Sequence, residues 1–194
     1  MTAMHRRSLL AALLAAPLAS VPLASAPARA GEVDGMFDVP YVTTPQGVVD
    51  AMLSLASVGP ADRLIDLGSG DGRIVITAAQ RWGTPGLGVE IDPRLVAISQ
   101  GRARHAGVAD KARFVVQDLF DTDLSQATVI TMYLLPEVNL KLRPRLQKLR
   151  PGTRIVSHDW DMGDWIPERT IEVDAPDKTV GLRKSSKLML WVVR

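Results

Sequence analysis

Short apolar runs, each stopped by an acid, a glycine or a proline, alternate along this chain with longer stretches whose apolar positions recur every three or four residues. The short runs predict strands: one opening Arg63–Gly72, then Gly86–Val89, Ala112–Val116, Val129–Tyr133, Arg154–Ser157, and two more near Thr170–Val173 and Leu188–Val193. The longer stretches predict helices. Gln46–Ala56 follows Pro45 and is apolar at Val48, Val49, Met52, Leu53 and Ala56. A second helix puts Ile74, Ala78 and Trp82 on one face. A third starts at Pro93, runs through Leu95, Val96 and Ile98, and stops at Gly107. The fourth, Glu137–Leu149, is closed by Pro151-Gly152. Strand, helix, strand in succession implies an α/β fold with a parallel sheet and right-handed crossovers.

The segment Arg63–Gly72, RLIDLGSGDG, carries the most chemistry. Gly68, Gly70 and Gly72 fall at alternate positions after a strand, so no Cβ keeps a ligand from the backbone. A dinucleotide fingerprint would need a glycine where Arg73 stands, and a Walker loop would need a Gly-Lys-Ser/Thr ending. Asp66 and Asp71 bracket the turn with negative charge, which repels a pyrophosphate and suits a ligand with a cationic end. S-adenosylmethionine, with its sulfonium and ammonium groups, fits.

Downstream residues point the same way. Glu90 ends the second strand, 24 positions after Asp66, where a doubly wound fold places the carboxylate that grips a ribose diol. The third strand runs into Gln117 and Asp118, and Asp118 can accept from an adenine amino group. Asp92, just ahead of Pro93, reads as a helix N-cap.

On these residues the chain resembles the seven-stranded (class I, Rossmann-like) S-adenosylmethionine-dependent methyltransferases over roughly Asp38–Pro167. Within them it looks most like the small prokaryotic and mitochondrial protein-lysine methyltransferases, through DVPYVTTP (Asp38–Pro45), DLGSGDGRIVI (Asp66–Ile76), GVEIDP (Gly88–Pro93) and DMGDWIP (Asp161–Pro167). The resemblance implies a doubly wound, mostly parallel seven-stranded sheet with an antiparallel last strand. It also implies a lid over the cofactor from Tyr41, Thr43 and Thr44. The expected cofactor ligands are Tyr41, Thr43, Asp66, Gly68, Gly70, Gly72, Glu90 and Asp118; no metal is expected.

The acceptor side has fewer signals. Many relatives that methylate exocyclic or amide nitrogens carry Asn/Asp-Pro-Pro-aromatic after the fourth strand, whereas this chain has Tyr133-Leu134-Leu135-Pro136. Tyr133 can orient an amine or meet the sulfonium with its ring face; it can equally be a half-buried strand residue. His158, Asp159, Trp160, Asp161, Asp164 and Trp165 follow the fifth strand, and suggest an aromatic-walled negative mouth for a lysine side chain. Tyr133, His158 and Asp159 are the catalytic candidates. Lys141, Arg143, Arg145, Lys148 and Arg150 read as a solvated helix face.

Composition places these elements in a compartment. Of 194 residues, 46% are hydrophobic, enough for the core of one domain. The net charge of +2 comes from the first 30 residues, which hold Arg6, Arg7 and Arg29 and no acid; removing those three from the 23 basic residues leaves 20 against 21 acidic. Nucleic acid therefore loses its compositional support as a partner. His5-Arg6-Arg7, the apolar run Leu9–Ala16 and Ala28-Arg29-Ala30 before Gly31 read as an export signal, with residues 31–194 as a single methyltransferase domain. The arginine pair before Ser8-Leu9-Leu10 resembles a twin-arginine signal, with Leu9 where phenylalanine is usual. Pro17 and Pro22 argue against a full membrane span. An uncleaved anchor, or translation starting at Met36, are the other readings. A functional leader implies an exported, periplasmic protein; otherwise it is cytoplasmic. The absence of cysteine is compatible with either. The leading function is methyl transfer to an exposed lysine of a partner protein. A small-molecule methyltransferase, or a non-catalytic cofactor-binding or scaffold protein, are its rivals.

Overall fold

The computed structural model describes residues 41–181 and 183–194. The leader, Met36 and the first residues of the Asp38–Pro45 stretch lie outside the described residues. The elements run α1 (Gln46–Leu55), β1 (Leu64–Leu67), α2 (Arg73–Trp82), β2 (Gly86–Glu90), α3 (Pro93–His105), β3 (Ala112–Val116), β4 (Val129–Met132), α4 (Pro136–Leu146), β5 (Arg154–His158), β6 (Arg169–Asp174) and β7 (Ser185–Val192).

The strands form one seven-stranded sheet in the order β3-β2-β1-β4-β5-β7-β6. β1 to β5 are parallel, and β7 runs antiparallel between β5 and β6. The chain winds outward from β1 through β2 to β3, then crosses back to β4 on the other side. This reversal opens a crevice beyond the carboxyl ends of β1 and β4, where ligands bind in such sheets.

Alternation along the strands fills both faces. Leu64, Val129, Val156, Leu188 and Leu190 point into a core shared with α1, α2 and α3. Ile65, Leu67, Ile130, Met132, Ile155, Met189 and Trp191 point into a second core with α4. β1 and β4 are buried at every position, the mark of central parallel strands covered by helices on both sides. Among the described residues no helix is long and apolar enough to cross a membrane.

Several boundaries differ from the pattern in the sequence by a residue or more, and four of them have a clear local reason. β4 stops at Met132, so Tyr133 leaves the ladder as the chain turns toward α4. β5 continues to His158, which pairs with Leu188. α4 ends at Leu146 rather than Leu149 because the chain then tightens, with Lys148 N–H bonding Arg145 O and Leu149 N–H bonding Leu146 O, three residues back rather than four. β7 begins at Ser185 because the β6–β7 hairpin pairs Asp174 with Ser185 along a polar edge that carries little apolar signal.

Candidate active site

The turn after β1 is held by Val89, whose carbonyl accepts from the N–H groups of Gly68 (2.9 Å) and Ser69 (3.0 Å). Its glycines are needed for different reasons. At Gly70 (φ +53°) a Cβ would lie 2.6 Å from the ring of Tyr41, which covers the turn from the N-terminal arm. At Gly72 (φ +79°), the N-cap of α2, a Cβ would lie within 2.7 Å of both the Phe114 ring and the Ser99 Cβ. Gly70 thus lets the Tyr41 ring lie against the turn, while Gly72 lets α2 dock on β3 and α3. Gly68 packs against Leu134 from beyond β4. Thr43 is half-buried beside the same arm.

The two acids of the turn have different fates. Asp66 is buried in β1, level with Gly88 on one side and Thr131 on the other. The Thr131 hydroxyl donates to it at 2.7 Å. Burial, assisted by the charges of Glu90 and Asp71, pushes its carboxyl up to about 7 in spite of the Thr131 hydrogen bond. Asp71 is gripped by Arg73 and by Arg102 of α3. Burial alone would raise its pKa, but the Arg73 hydrogen bonds and the charges of Arg73 and Arg102 outweigh it and hold the carboxyl below the usual range. The expectation of two unanswered negative charges therefore fails: Asp71 is neutralised internally, and Asp66 sits close to its own titration point. Arg73 also donates to the Thr44 carbonyl at 2.7 Å, tying the arm to the turn.

Glu90 is fixed by three backbone donors, Gly70 N–H at 3.0 Å on Oε2 and Ile91 and Asp92 N–H at 2.8 and 3.0 Å on Oε1. It therefore bridges the glycine turn to the tip of β2. Asp92 caps α3 through Arg94 N–H. Asp118 is exposed at the end of β3, where one oxygen accepts Phe120 N–H at 2.8 Å and caps a 3-10 turn at Leu119–Asp121 that the apolar pattern does not signal.

Across the switch point, Tyr133, Asp159 and Lys178 meet. Asp159 Oδ2 is 2.6 Å from Lys178 Nζ and accepts from the Tyr133 hydroxyl at 3.4 Å. Its backbone is left-handed (φ +62°), a conformation Asp tolerates better than most residues, and it is clamped to Lys187 by a hydrogen bond in each direction. Burial raises the Asp159 carboxyl, but Lys178, His158 and the Lys187 N–H overcompensate and hold it low. Burial, with the Asp159 charge, drives the Tyr133 phenol up to about 12, so it stays protonated and acts as a donor. His158 is fully buried; its Nε2 pairs with Ser186 Oγ at 2.8 Å, its Nδ1 with Thr44 Oγ1 at 3.3 Å, and its ring stacks on Tyr133 at 3.8 Å. Burial drops its pKa to about 4. With both nitrogens engaged, His158 is a neutral prop for Tyr133 in this conformation.

Tyr133 and Asp159 line a cavity of about 630 Å³, with Val42, Leu134, Leu135 and Trp160 among its apolar walls. Leu134 also packs on Gly68, so this cavity adjoins the glycine turn. The negative mouth expected from the sequence is only partly realised. Trp160 lines the cavity, but Trp165 packs on Trp191 and accepts its indole N–H at 2.7 Å. Asp164 pairs with Arg143 and Asp161 caps its own turn at Gly163. Lys178, Arg183 and Lys187 line the same cavity, facing Asp159 and Glu172, so the lining is mixed in charge. The solvated helix face is also revised. Arg143 donates to the Met162 carbonyl, and Arg145 to those of Phe120 and Thr122, so both brace loops beside α4.

A seven-stranded sheet in this order, a glycine turn overlain by Tyr41 and a carboxylate pinned at the tip of β2 define a class I methyltransferase that uses S-adenosylmethionine. The residues fit that molecule at the tip of β2, where the Glu90 carboxylate could take a diol beside the glycine turn. Comparison with known proteins agrees. The ANTKMT methyltransferase domain model matches residues 66–169, more than half of the chain. A protein-lysine N-methyltransferase of Saccharolobus islandicus is 44% identical over 138 residues, 70% of this chain and 86% of that protein. The adenine nucleotide translocase lysine N-methyltransferase of Mus musculus is 35% identical over 130 residues, 66% of this chain and 56% of that protein. A solved Salinibacter ruber protein described as an RNA methyltransferase, in complex with S-adenosyl-L-homocysteine, is 51% identical with a TM-score of 0.72, covering 78% of this chain and 94% of that one. The chain belongs to the ANTKMT methyltransferase family.

The buried acid gives a pH dependence whose sign is fixed. The Asp66 pKa rises from 3.8 to about 7 on folding, so across that interval the folded state keeps a proton the unfolded chain has lost. Its contribution is complete below the lower value and is lost as pH rises through the upper one. Urea unfolding should show wild type losing more stability than Asp66→Asn between about pH 5 and about pH 8. Equal losses would count against the buried, protonated acid.

Proposed function

We propose that this enzyme transfers a methyl group from S-adenosylmethionine to a lysine side-chain nitrogen of a partner protein. The observation that carries the reading is the Tyr133–Asp159 pair, set at the ends of neighbouring strands in a cavity that adjoins the glycine turn. The 44% identity to a protein-lysine N-methyltransferase supports it.

When bound, the cofactor supplies an electrophilic methyl carbon on a sulfonium. The chain's own residues then have three tasks. Glu90 and the turn at Gly68–Gly72 would orient the donor, with Tyr41 and Thr43 over it and Asp118 at the far end. Asp159 would receive the acceptor ammonium, and Tyr133, held against His158, would fix the angle of approach. Leu134, Leu135 and Val42 would exclude water, which favours the neutral amine, since a free lysine has a pKa of about 10.4. The acceptor ammonium would first lose a proton to solvent, freeing the nitrogen lone pair for the methyl carbon, with the sulfur leaving as a neutral thioether. No covalent enzyme intermediate is needed.

Incubating the purified protein with cell extract and S-adenosylmethionine labelled in the methyl group tests this. Label should enter protein and be recovered as methyllysine after acid hydrolysis. Ribonuclease-sensitive label would instead favour RNA, as in the name of the Salinibacter protein. Label in solvent-extractable material would favour a small-molecule acceptor, and binding without transfer would leave a scaffold role.

We propose further that residues 1–30 act as an export leader ahead of the single domain 31–194, which would make the mature protein periplasmic. The basic start, apolar run and small-residue ending support this. N-terminal sequencing of protein from each cell fraction should find the mature chain starting at Gly31 outside the cytoplasm; an intact leader on cytoplasmic protein would refute it.

A further inference from the structure

The cavity beside the glycine turn already contains a lysine. Lys178 lies in the β6–β7 connection, and its ammonium points inward, with a side-chain exposure of only 11%. That connection is shaped to hold it there. Ala175 N–H bonds Lys184 O at 2.8 Å, Lys178 N–H bonds Ala175 O at 3.0 Å, and Lys184 Nζ bonds Lys178 O at 2.7 Å. The Lys178 Nζ reaches Asp159 Oδ2 at 2.6 Å and Ser185 O at 2.8 Å. Its polar surroundings are therefore a carboxylate, a carbonyl and, through Asp159, the phenol of Tyr133.

An acceptor lysine needs the same surroundings. Two carboxylates line the cavity, and Glu172 already accepts from the Ser185 hydroxyl at 2.6 Å near its rim. Asp159 alone of the two touches Tyr133, and it is the one Lys178 occupies. We propose that Lys178 is a built-in occupant of the acceptor-lysine site, a stand-in that keeps Asp159 paired and oriented in the resting enzyme and yields it to the incoming ammonium. The inference rests on the lysine-acceptor reading above and deepens it. The exchange trades one ammonium for another on one carboxylate, so the site need never carry an uncompensated buried charge, which would be costly. It also means that every acceptor must compete with a tethered lysine, so weak amines are rejected.

Removing the stand-in should therefore strengthen acceptor binding. A lysine with a merely structural role predicts the reverse. The probe is n-butylammonium, titrated into the full chain while following the emission of Trp160, which lines the cavity and is 43% exposed; Trp160→Phe identifies its share of the signal. Lys178→Met should bind the probe about five- to tenfold more tightly than wild type, the size of one partly screened ion pair. Adding Asp159→Asn to Lys178→Met should abolish the gain. In the methyl-transfer assay with poly-L-lysine, Lys178→Met should lower KM by a similar factor, whereas Lys178→Arg, which keeps the cation, should retain the wild-type KM. Should Lys178→Met fail to fold, Lys178→Gln replaces it, retaining a donor to Ser185 O without the charge. Equal or weaker probe binding by the neutral variant, or no saturable response in it, overturns the proposal. The titration requires no catalysis, so weaker probe binding alongside methyllysine formation would overturn the stand-in alone, whereas a blank methyllysine assay would overturn the acceptor reading and the stand-in with it.

Discussion

Glu90→Ala should weaken binding of S-adenosylmethionine by about 10- to 100-fold, the loss expected for charge-assisted hydrogen bonds worth about 1.5–3 kcal/mol. The side chain is already committed on the protein side. Three backbone N–H groups converge on it, from Gly70, Ile91 and Asp92, so its remaining lone pairs are aimed rather than free to search. Truncation removes the acceptor and also releases the glycine turn from the tip of β2. Glu90→Gln should lose less, because its amide oxygen can still take the Ile91 and Asp92 donors. Calorimetric titration of the cofactor into each variant measures the series, and unchanged affinity in Glu90→Ala would refute the role given to this carboxylate.

Gly72→Ala should cost about 2–5 kcal/mol of folding stability, adding a left-handed backbone penalty of about 1–2 to an overpacking cost of about 1–3. The added methyl would press into the Phe114 ring and the Ser99 Cβ, both of them buried. Gly107 is the control. It has φ +69°, also left-handed, but nothing lies within 4 Å of where its Cβ would stand. Gly107→Ala should therefore cost only about 1–2 kcal/mol, the backbone part. Urea unfolding of both variants separates the two contributions. If Gly72→Ala is no worse than Gly107→Ala, the α2 N-terminus is not packed as described.

Much of this architecture was legible in the sequence because parallel strands buried on both faces leave unbroken apolar runs, and such runs end abruptly at the acids and glycines of the crevice. Asp66, Glu90 and Asp118 stand out for that reason, each being the first charge after a run. Partnerships across the sheet were not legible. Thr131 lies 65 positions from Asp66 and meets it only through the register of β1 with β4. Arg73 and Arg102 neutralise Asp71 from two different helices. Arg143 and Arg145 have the spacing of a wet helix face, and only the packed loops beside α4 show them to be braces. Lys178 gave no signal, since a lysine in a hairpin connection looks like any other surface charge until β7 brings it to Asp159.

Thr44 reaches toward both halves of the crevice. Its carbonyl rests on Arg73 at the start of α2, and its hydroxyl touches His158, whose ring backs Tyr133. One residue of the arm is thus fixed to the glycine-turn end through its backbone and to the Tyr133 end through its side chain. Displacing Thr44 would therefore break a contact at the start of α2 and one behind the phenol together, so the two ends of the crevice share a single support.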